Sequence, residues 1–332
     1  MVTDTKHKIM SYIKENRQVR VNDLVRHLGH SRVAIHKQLK RLVEEGELQK
    51  LGKPPIVYYV LNTEKSIELP VIAKDLSDSI DSSYLYISPR GEMISGFPGF
   101  SQWVKSIGEE KKIIPLAEEY IHIRTQADKH YSDNGWLDAT KSKLDPVFHD
   151  NVLYKLLYAD FYSLPKFGKT KLGQIMLYAK QSQNRELAYR LIETVKPILE
   201  RIITIHTIDT IAFIPPSIPR TLQFMTEFAR GLSLGIRTIP LIKTYTGDVI
   251  VAQKTLSRLE ERIENARQTI FVDVNKAPNN AKNVLIIDDA VGSGSTMEEV
   301  GKKLRDLNLV RGNIIGFAIV GSMKGFEVIR EV

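Results

Sequence analysis

The sequence predicts an α/β protein: a parallel sheet in the C-terminal third, a mostly helical middle, and a small basic helical unit ending in a β-hairpin at the N-terminal end. Three observations predict it. From about residue 202, apolar runs of strand length alternate with amphipathic stretches of helix length. One of these runs, Val284-Leu-Ile-Ile287, leads into two adjacent acids and a loop of small residues before a helix. Residues 1–60 carry twelve Lys/Arg against six Asp/Glu, so they hold six of the chain's eight net positive charges. The divisions expected are residues 1–62, 63–197 and 198–332.

With 332 residues, of which 42% are hydrophobic and 26% charged, the chain is long enough for two or three packed units. It has no cysteine, which excludes disulfides, thiolate zinc sites and a cysteine nucleophile. The eight histidines are scattered, so no protein-only metal site is expected. No run approaches the roughly 18 apolar residues of a membrane span, and no signal-peptide pattern opens the chain. A cytoplasmic protein without membrane partners is the expectation.

In the N-terminal unit, Ile9, Met10 and Ile13 give Lys6–Asn16 the spacing of an amphipathic helix. A second helix is expected over Asn22–Leu28, capped by Asn22. After a Gly29-His30 turn, Ser31 caps a third helix that runs to about Glu45 and stops at Gly46. Ile35, Leu39 and Leu42 face the core of that helix, and Arg32, His36, Lys37 and Lys40 lie on its other side. Two short strands, 47–51 and 56–61, flank the loop Gly52-Lys-Pro-Pro55. The whole of residues 5–62 resembles the winged helix-turn-helix of bacterial regulators. That resemblance implies a recognition helix for the major groove of double-stranded nucleic acid, with Lys50 and Lys53 of the wing on phosphates.

The middle region carries no motif for chemistry. A small hairpin is expected over 84–95, and helices over 113–126, 146–163, 172–181 and 185–201. Tyr131, Trp136, Phe148, Tyr154, Tyr158, Phe161, Tyr162 and Phe167 crowd one stretch, read as core or as the interface of a homodimer. Gly168-Lys-Thr170 lacks the earlier glycine of a phosphate-binding P-loop, because position 163 is serine, and reads as a basic turn.

In the C-terminal part, strands are expected at 209–214, 236–242, 268–272, 284–287 and 313–320, the last closing the sheet. A ligand belongs at the carboxyl ends of such strands, where the loops 215–220, 243–266 and 288–296 converge. In the segment Val284–Thr296, Gly292 and Gly294 let the backbone close on an anion at a helix N-terminus. Ser293, Ser295 and Thr296 add hydroxyl donors. Asp288 and Asp289 are placed to accept from a diol or to face a divalent cation.

This segment resembles the thirteen-residue signature of type I phosphoribosyltransferases. The resemblance implies that Asp288 and Asp289 hold the ribose hydroxyls of phosphoribosyl pyrophosphate, with magnesium, and that Gly292 to Thr296 wrap its 5-phosphate. Two positions depart from the pattern: Ala290 is smaller than the usual branched residue, and Gly292 stands where purine-salvage members carry an acid. Pro215–Arg220 resembles the pyrophosphate loop of the ComF-like branch, with Ser217 and Arg220 as its contacts. Gln253–Arg262 and Asn265 resemble that branch's mobile segment, with Lys254, Arg258 and Arg262 as its cations. Displacing pyrophosphate at C1 passes through an oxocarbenium-like state, so clamping and neutralising phosphates is the main task such a site faces.

Two functions follow as expectations. The first is a DNA-binding regulator that senses phosphoribosyl pyrophosphate or a nucleotide, a design that purine repressors with a winged domain resemble. The second is an active phosphoribosyltransferase, or a nucleotide-consuming defence effector, tethered to nucleic acid by its winged unit and working with an operon partner. A homodimer is expected in either case.

Overall fold

The computed structural model describes residues 2–62, 72–148, 150–245, 247–251 and 253–323, with the side chains of 2–4 and 254 left aside. The chain divides into two units, residues 1–70 and 71–332.

In the first unit α1 (Val2–Asn16), β1 (Gln18–Val19), α2 (Val21–Leu28), α3 (Arg32–Glu44), β2 (Leu48–Lys53) and β3 (Ile56–Leu61) follow in order. The strands form one antiparallel sheet, β1-β3-β2. Ile9, Ile13, Leu24, Ile35, Leu39, Leu42 and Leu48 make its core. Ser31 caps α3 as expected, its hydroxyl accepting from the Ala34 N–H at 3.3 Å. Asn22 does not cap α2. The helix starts one residue earlier, and Asp23 at its third position accepts from the Arg20 N–H at 2.8 Å, which leaves the capping to Asp23 and Arg20.

The second unit opens with α4 (Lys74–Ser83), the hairpin β4 (Leu85–Ile87) and β5 (Met93–Ser95), α5 (Gly96–Ser106) and α6 (Ile113–Asp128). Then come β6 (Leu137–Asp138), β7 (Lys155–Phe161), the small hairpin β8 (Ser163–Leu164) and β9 (Gly168–Lys169), α7 (Lys171–Gln181) and α8 (Arg185–Ile205). The remainder is β10 (Thr210–Phe213), α9 (Phe224–Leu232), β11 (Arg237–Thr238), β12 (Leu241–Lys243), α10 (Leu259–Thr269), β13 (Ile270–Val272), β14 (Val284–Val291), α11 (Ser295–Asp306) and β15 (Ile314–Gly321).

A six-stranded sheet in the order β11-β10-β14-β15-β7-β6 forms the spine, parallel except for β6. Alternate residues of its central strands enter two cores. Val284, Ile286, Leu156 and Ala318 join one, and Leu285, Ile287, Leu157 and Phe317 the other. Helices therefore cover both faces, as a buried parallel sheet requires.

Several expectations are corrected here. Residues 146–163 are not a helix, because β7 runs through them. Leu156, Leu157 and Tyr158 are all buried, and a strand covered on both faces shows a continuous apolar run that does not reveal its period. The middle region thus supplies part of the spine, and residues 71–332 are one unit with no boundary at 197/198. β15 is interior, flanked by β14 and β7, and closes nothing. The strand expected over 236–242 is broken at Pro240, which cannot donate to a ladder. Its first half, β11, joins the sheet, and β12 pairs instead with β13 in a separate antiparallel ribbon. The aromatic stretch is core. Tyr158 and Phe161 are fully buried, and Phe167 packs against Phe100, Trp103 and Tyr120. Tyr154, more than half exposed, is the exception.

Candidate ligand cavity and nucleic-acid face

On the first unit, Arg32, His36, Lys37 and Lys40 are all exposed on α3. Lys40 lies 3.7 Å from Glu44, a loose surface pair. Val33, 79% exposed, shares that face, and sequence reasoning passed over it. Lys50 and Lys53 are exposed on β2, so the basic residues singled out from the sequence lie exposed on α3 and on the β2–β3 hairpin. Gly52 makes the wing turn possible: its φ is +84°, and a Cβ there would sit 2.5 Å from the Ile56 carbonyl oxygen. At the base of the wing, Arg20 donates to the Tyr58 hydroxyl at 2.6 Å.

On the second unit, a cavity of about 520 Å3 opens at the carboxyl ends of β10 and β14. Asp288 and Asp289 lie within β14, which runs four residues past the apolar stretch, and Gly292–Gly294 turn the chain into α11. Gly294 precedes the first helical residue with φ +83°; a Cβ would meet Leu144 at 2.9 Å and Leu156 at 3.1 Å. The Ser295 N–H donates to Ser293 Oγ at 3.4 Å; the N–H groups next after it in α11 have no carbonyl one turn earlier to bond, which suits an anion. Ser293 Oγ donates to Ser295 Oγ at 3.2 Å inside the same loop.

The lining brings together Asp288, Asp289, Gly292, Ser293, Gly294, Ser295, Thr296, Ser217, Arg220 and Arg262. Arg258 is not among them: it sits exposed ahead of α10, where its N–H donates to Glu261 at 3.3 Å. The side chain of Lys254 lies outside the described residues.

Two cations were missed. Lys180, in the last turn of α7, holds Asp289 with Nζ 2.5 Å from Oδ2. Its carbonyl accepts a hydrogen bond from Arg220. Lys243, the last residue of β12, donates to Ser217 Oγ at 2.9 Å and Asn265 Oδ1 at 3.4 Å. The Tyr245 hydroxyl donates to the Ser217 carbonyl at 3.1 Å. A strand-end position was the one signal for Lys243, since ligands gather there. Nothing in the sequence marks Lys180.

Burial and the adjacent Asp289 push the Asp288 carboxyl up to about 7, against the opposing pull of the Asp289 N–H, Lys180 and Lys243. Burial also lowers Lys243 to about 8, with Asp288 acting the other way. Both groups therefore titrate near neutrality. Among the described residues no three His, Asp or Glu side chains come together as a metal site. A magnesium ion held mainly by water and phosphate oxygens would need no more from the protein than two carboxylates such as these.

Residues 2–46 match the family model for winged helix-turn-helix DNA-binding domains. Among solved structures, an adenine phosphoribosyltransferase is similar at 22% identity and a TM-score of 0.28, covering 42% of this chain and 72% of its own. The adenine phosphoribosyltransferase of Leishmania tarentolae aligns at 14% identity and 0.26, covering 44% and 75%. No curated protein sequence matches. Among the described residues no helix is long and apolar enough to cross a membrane. The three helices and the antiparallel sheet of the first unit, together with the family match over its helical part, make that unit a winged helix-turn-helix.

Proposed function

We propose that this chain is a nucleic-acid-binding regulator whose α/β unit binds phosphoribosyl pyrophosphate with magnesium. One observation carries the reading. The loop after β10, the end of β12 and the loop between β14 and α11 all line one cavity, with an acid pair flanked by Lys180, Lys243, Arg220 and Arg262. The helix start suits a 5-phosphate, the acids a ribose diol with its metal, and the cations a diphosphate. The bond from Gln253 Nε2 to the Arg262 carbonyl, at 3.0 Å, ties the segment that resembles the ComF-like branch across the cavity's lining. On the first unit the basic α3 face and wing suit duplex phosphates and base edges, and Val33 among the cations suits a thymine methyl.

The test is calorimetry with phosphoribosyl pyrophosphate and magnesium, followed by duplex binding with and without that ligand. Binding of the ligand with no effect on any duplex would remove the regulator.

One feature favours the second reading, an enzyme tethered to nucleic acid. Lys243, with its proton held loosely beside Ser217, is suited to protonate a departing pyrophosphate. Pyrophosphate release with any member of a nucleobase panel would establish it.

A further inference from the structure

The ion pair between Lys180 and Asp289 constrains what can enter the cavity. We propose that Lys180 is a specificity-determining residue, making the site prefer pentose phosphates with an anionic group on C1 over those with a neutral group there. The proposal rests on the reading of the cavity as a phosphoribosyl pyrophosphate site and decides between two of its ligands, the diphosphate and a nucleotide.

Asp289 is one of the two acids that a ribose diol and its metal would engage, and Lys180 Nζ already sits 2.5 Å from it. The side chains are 37% and 19% exposed, so the pair is only partly solvated. A ligand that takes Asp289 separates this ammonium from its anion at the wall of the cavity. The Lys180 carbonyl is fixed by Arg220, and the Leu222 N–H donates to Gln183 Oε1 at 2.9 Å, so the end of α7 is tied to the loop after β10 at two points. An anion on the ligand offers the separated ammonium a new partner in the cavity, whereas a neutral group leaves it with solvent alone.

The geometry of the lining indicates where that anion belongs. With a 5-phosphate at the start of α11 and the diol at the acids, Lys180, Lys243 and Arg220 are left for the group on C1. A diphosphate there gives Lys180 a replacement for Asp289. A nucleoside monophosphate presents an uncharged ring, and ribose 5-phosphate a hydroxyl; neither replaces the broken ion pair.

The experiment titrates the full chain with phosphoribosyl pyrophosphate, adenosine monophosphate and ribose 5-phosphate, each with magnesium. Wild-type protein should prefer the diphosphate by roughly tenfold or more, the scale of one charge-assisted hydrogen bond. Lys180→Met should compress that preference toward unity, and Lys180→Arg should restore it. Melting curves establish that both variants fold. An unchanged affinity ratio in Lys180→Met, or equal weakening for all three ligands, would overturn the proposal while leaving the cavity's assignment intact. Failure of the wild-type protein to bind any of them would overturn the assignment itself, and the proposal with it.

Discussion

Lys243 Nζ lies 2.9 Å from Ser217 Oγ, so the end of β12, a strand outside the main sheet, is fastened to the loop that follows β10. This hydrogen bond puts an ammonium with a pKa of about 8 within the same cavity as an Asp288 carboxyl raised to about 7.

A bell-shaped pH dependence of ligand affinity follows. Phosphates need Lys243 protonated, which holds below about pH 8; the diol and metal need Asp288 ionised, which holds above about pH 7. Affinity for phosphoribosyl pyrophosphate should peak between those values and fall on either side. Lys243→Arg should remove the alkaline limb, since a guanidinium keeps its proton. A wild-type profile flat from pH 7 to 9.5 would show that Lys243 does not meet the ligand.

Asp288 should cost stability where it serves binding. Its folded pKa is raised, so the native state binds protons more tightly than the unfolded chain, and the cost to stability builds as pH rises from the ordinary carboxylate range to about 7 and is fully present above it. Asp288→Asn keeps an oxygen for the Asp289 N–H, now 2.7 Å from Oδ1, and removes the charge. The variant should be more stable than wild type at pH 8, on the order of 1–2 kcal/mol after allowance for cavity water. That advantage should shrink as pH falls through 7, where Asp288 itself takes up a proton. With Asp289→Asn added, ligand binding should disappear. Melting curves at pH 5 and pH 8 check the first part and calorimetry the second.

Gly294→Ala tests the turn into α11. The residue's φ of +83° strains any L side chain, and the new methyl would press on Leu144 and Leu156, both fully buried. A destabilisation of about 1–3 kcal/mol is expected. Affinity for inorganic phosphate should fall as well, because the loop backbone shifts to relieve the clash. Unchanged stability and phosphate affinity would mean that the loop tolerates another path.

Much of this site could be read from residues close together in sequence. Asp288, Asp289 and Gly292–Thr296 lie within nine positions, and strand, loop and helix start are local geometry. Ser217 and Arg220 were legible because a proline-bounded loop after a buried strand points to the same edge. Lys180 was not legible. A lysine closing an amphipathic helix resembles a solvated side chain until the fold brings the last turn of α7 to Asp289. Arg258 shows the reverse: it belongs to a segment with the right pattern, but its backbone starts α10 and leaves it exposed. In the sheet, β10 and β14 were legible from apolar runs bounded by turns. β7 was hidden because burial on both faces erases the alternation that separates strand from helix.

On the first unit, Lys37→Ala and Lys40→Ala should weaken duplex binding and reduce its dependence on salt. Removing one cation that meets a phosphate should lower the slope of log affinity against log salt by about one unit. Lys40 shares its charge with Glu44 at 3.7 Å, so its effect should be the smaller of the two. If wild-type protein shows no salt-dependent affinity for any duplex or hybrid, the winged unit docks protein instead.

The two units should be energetically coupled. A regulator gains from joining a nucleic-acid reader to a sugar-phosphate site only if one ligand changes affinity for the other. Linkage makes that effect reciprocal, with couplings typically about 1–3 kcal/mol. Within the second unit, ligand entry would displace Lys180 from Asp289 and so release the last turn of α7 from the end of β14. Phosphoribosyl pyrophosphate with magnesium should therefore shift duplex affinity at least several-fold. The same addition should do nothing in the Asp288→Asn, Asp289→Asn double variant. Lys180→Met, which already lacks the ion pair, should show a duplex affinity displaced toward the ligand-bound value before any ligand is added. Anisotropy titrations of a labelled duplex against the three proteins check all of this. Equal affinities throughout, in protein shown to bind both ligands, would rule out the sensor and leave the tethered enzyme.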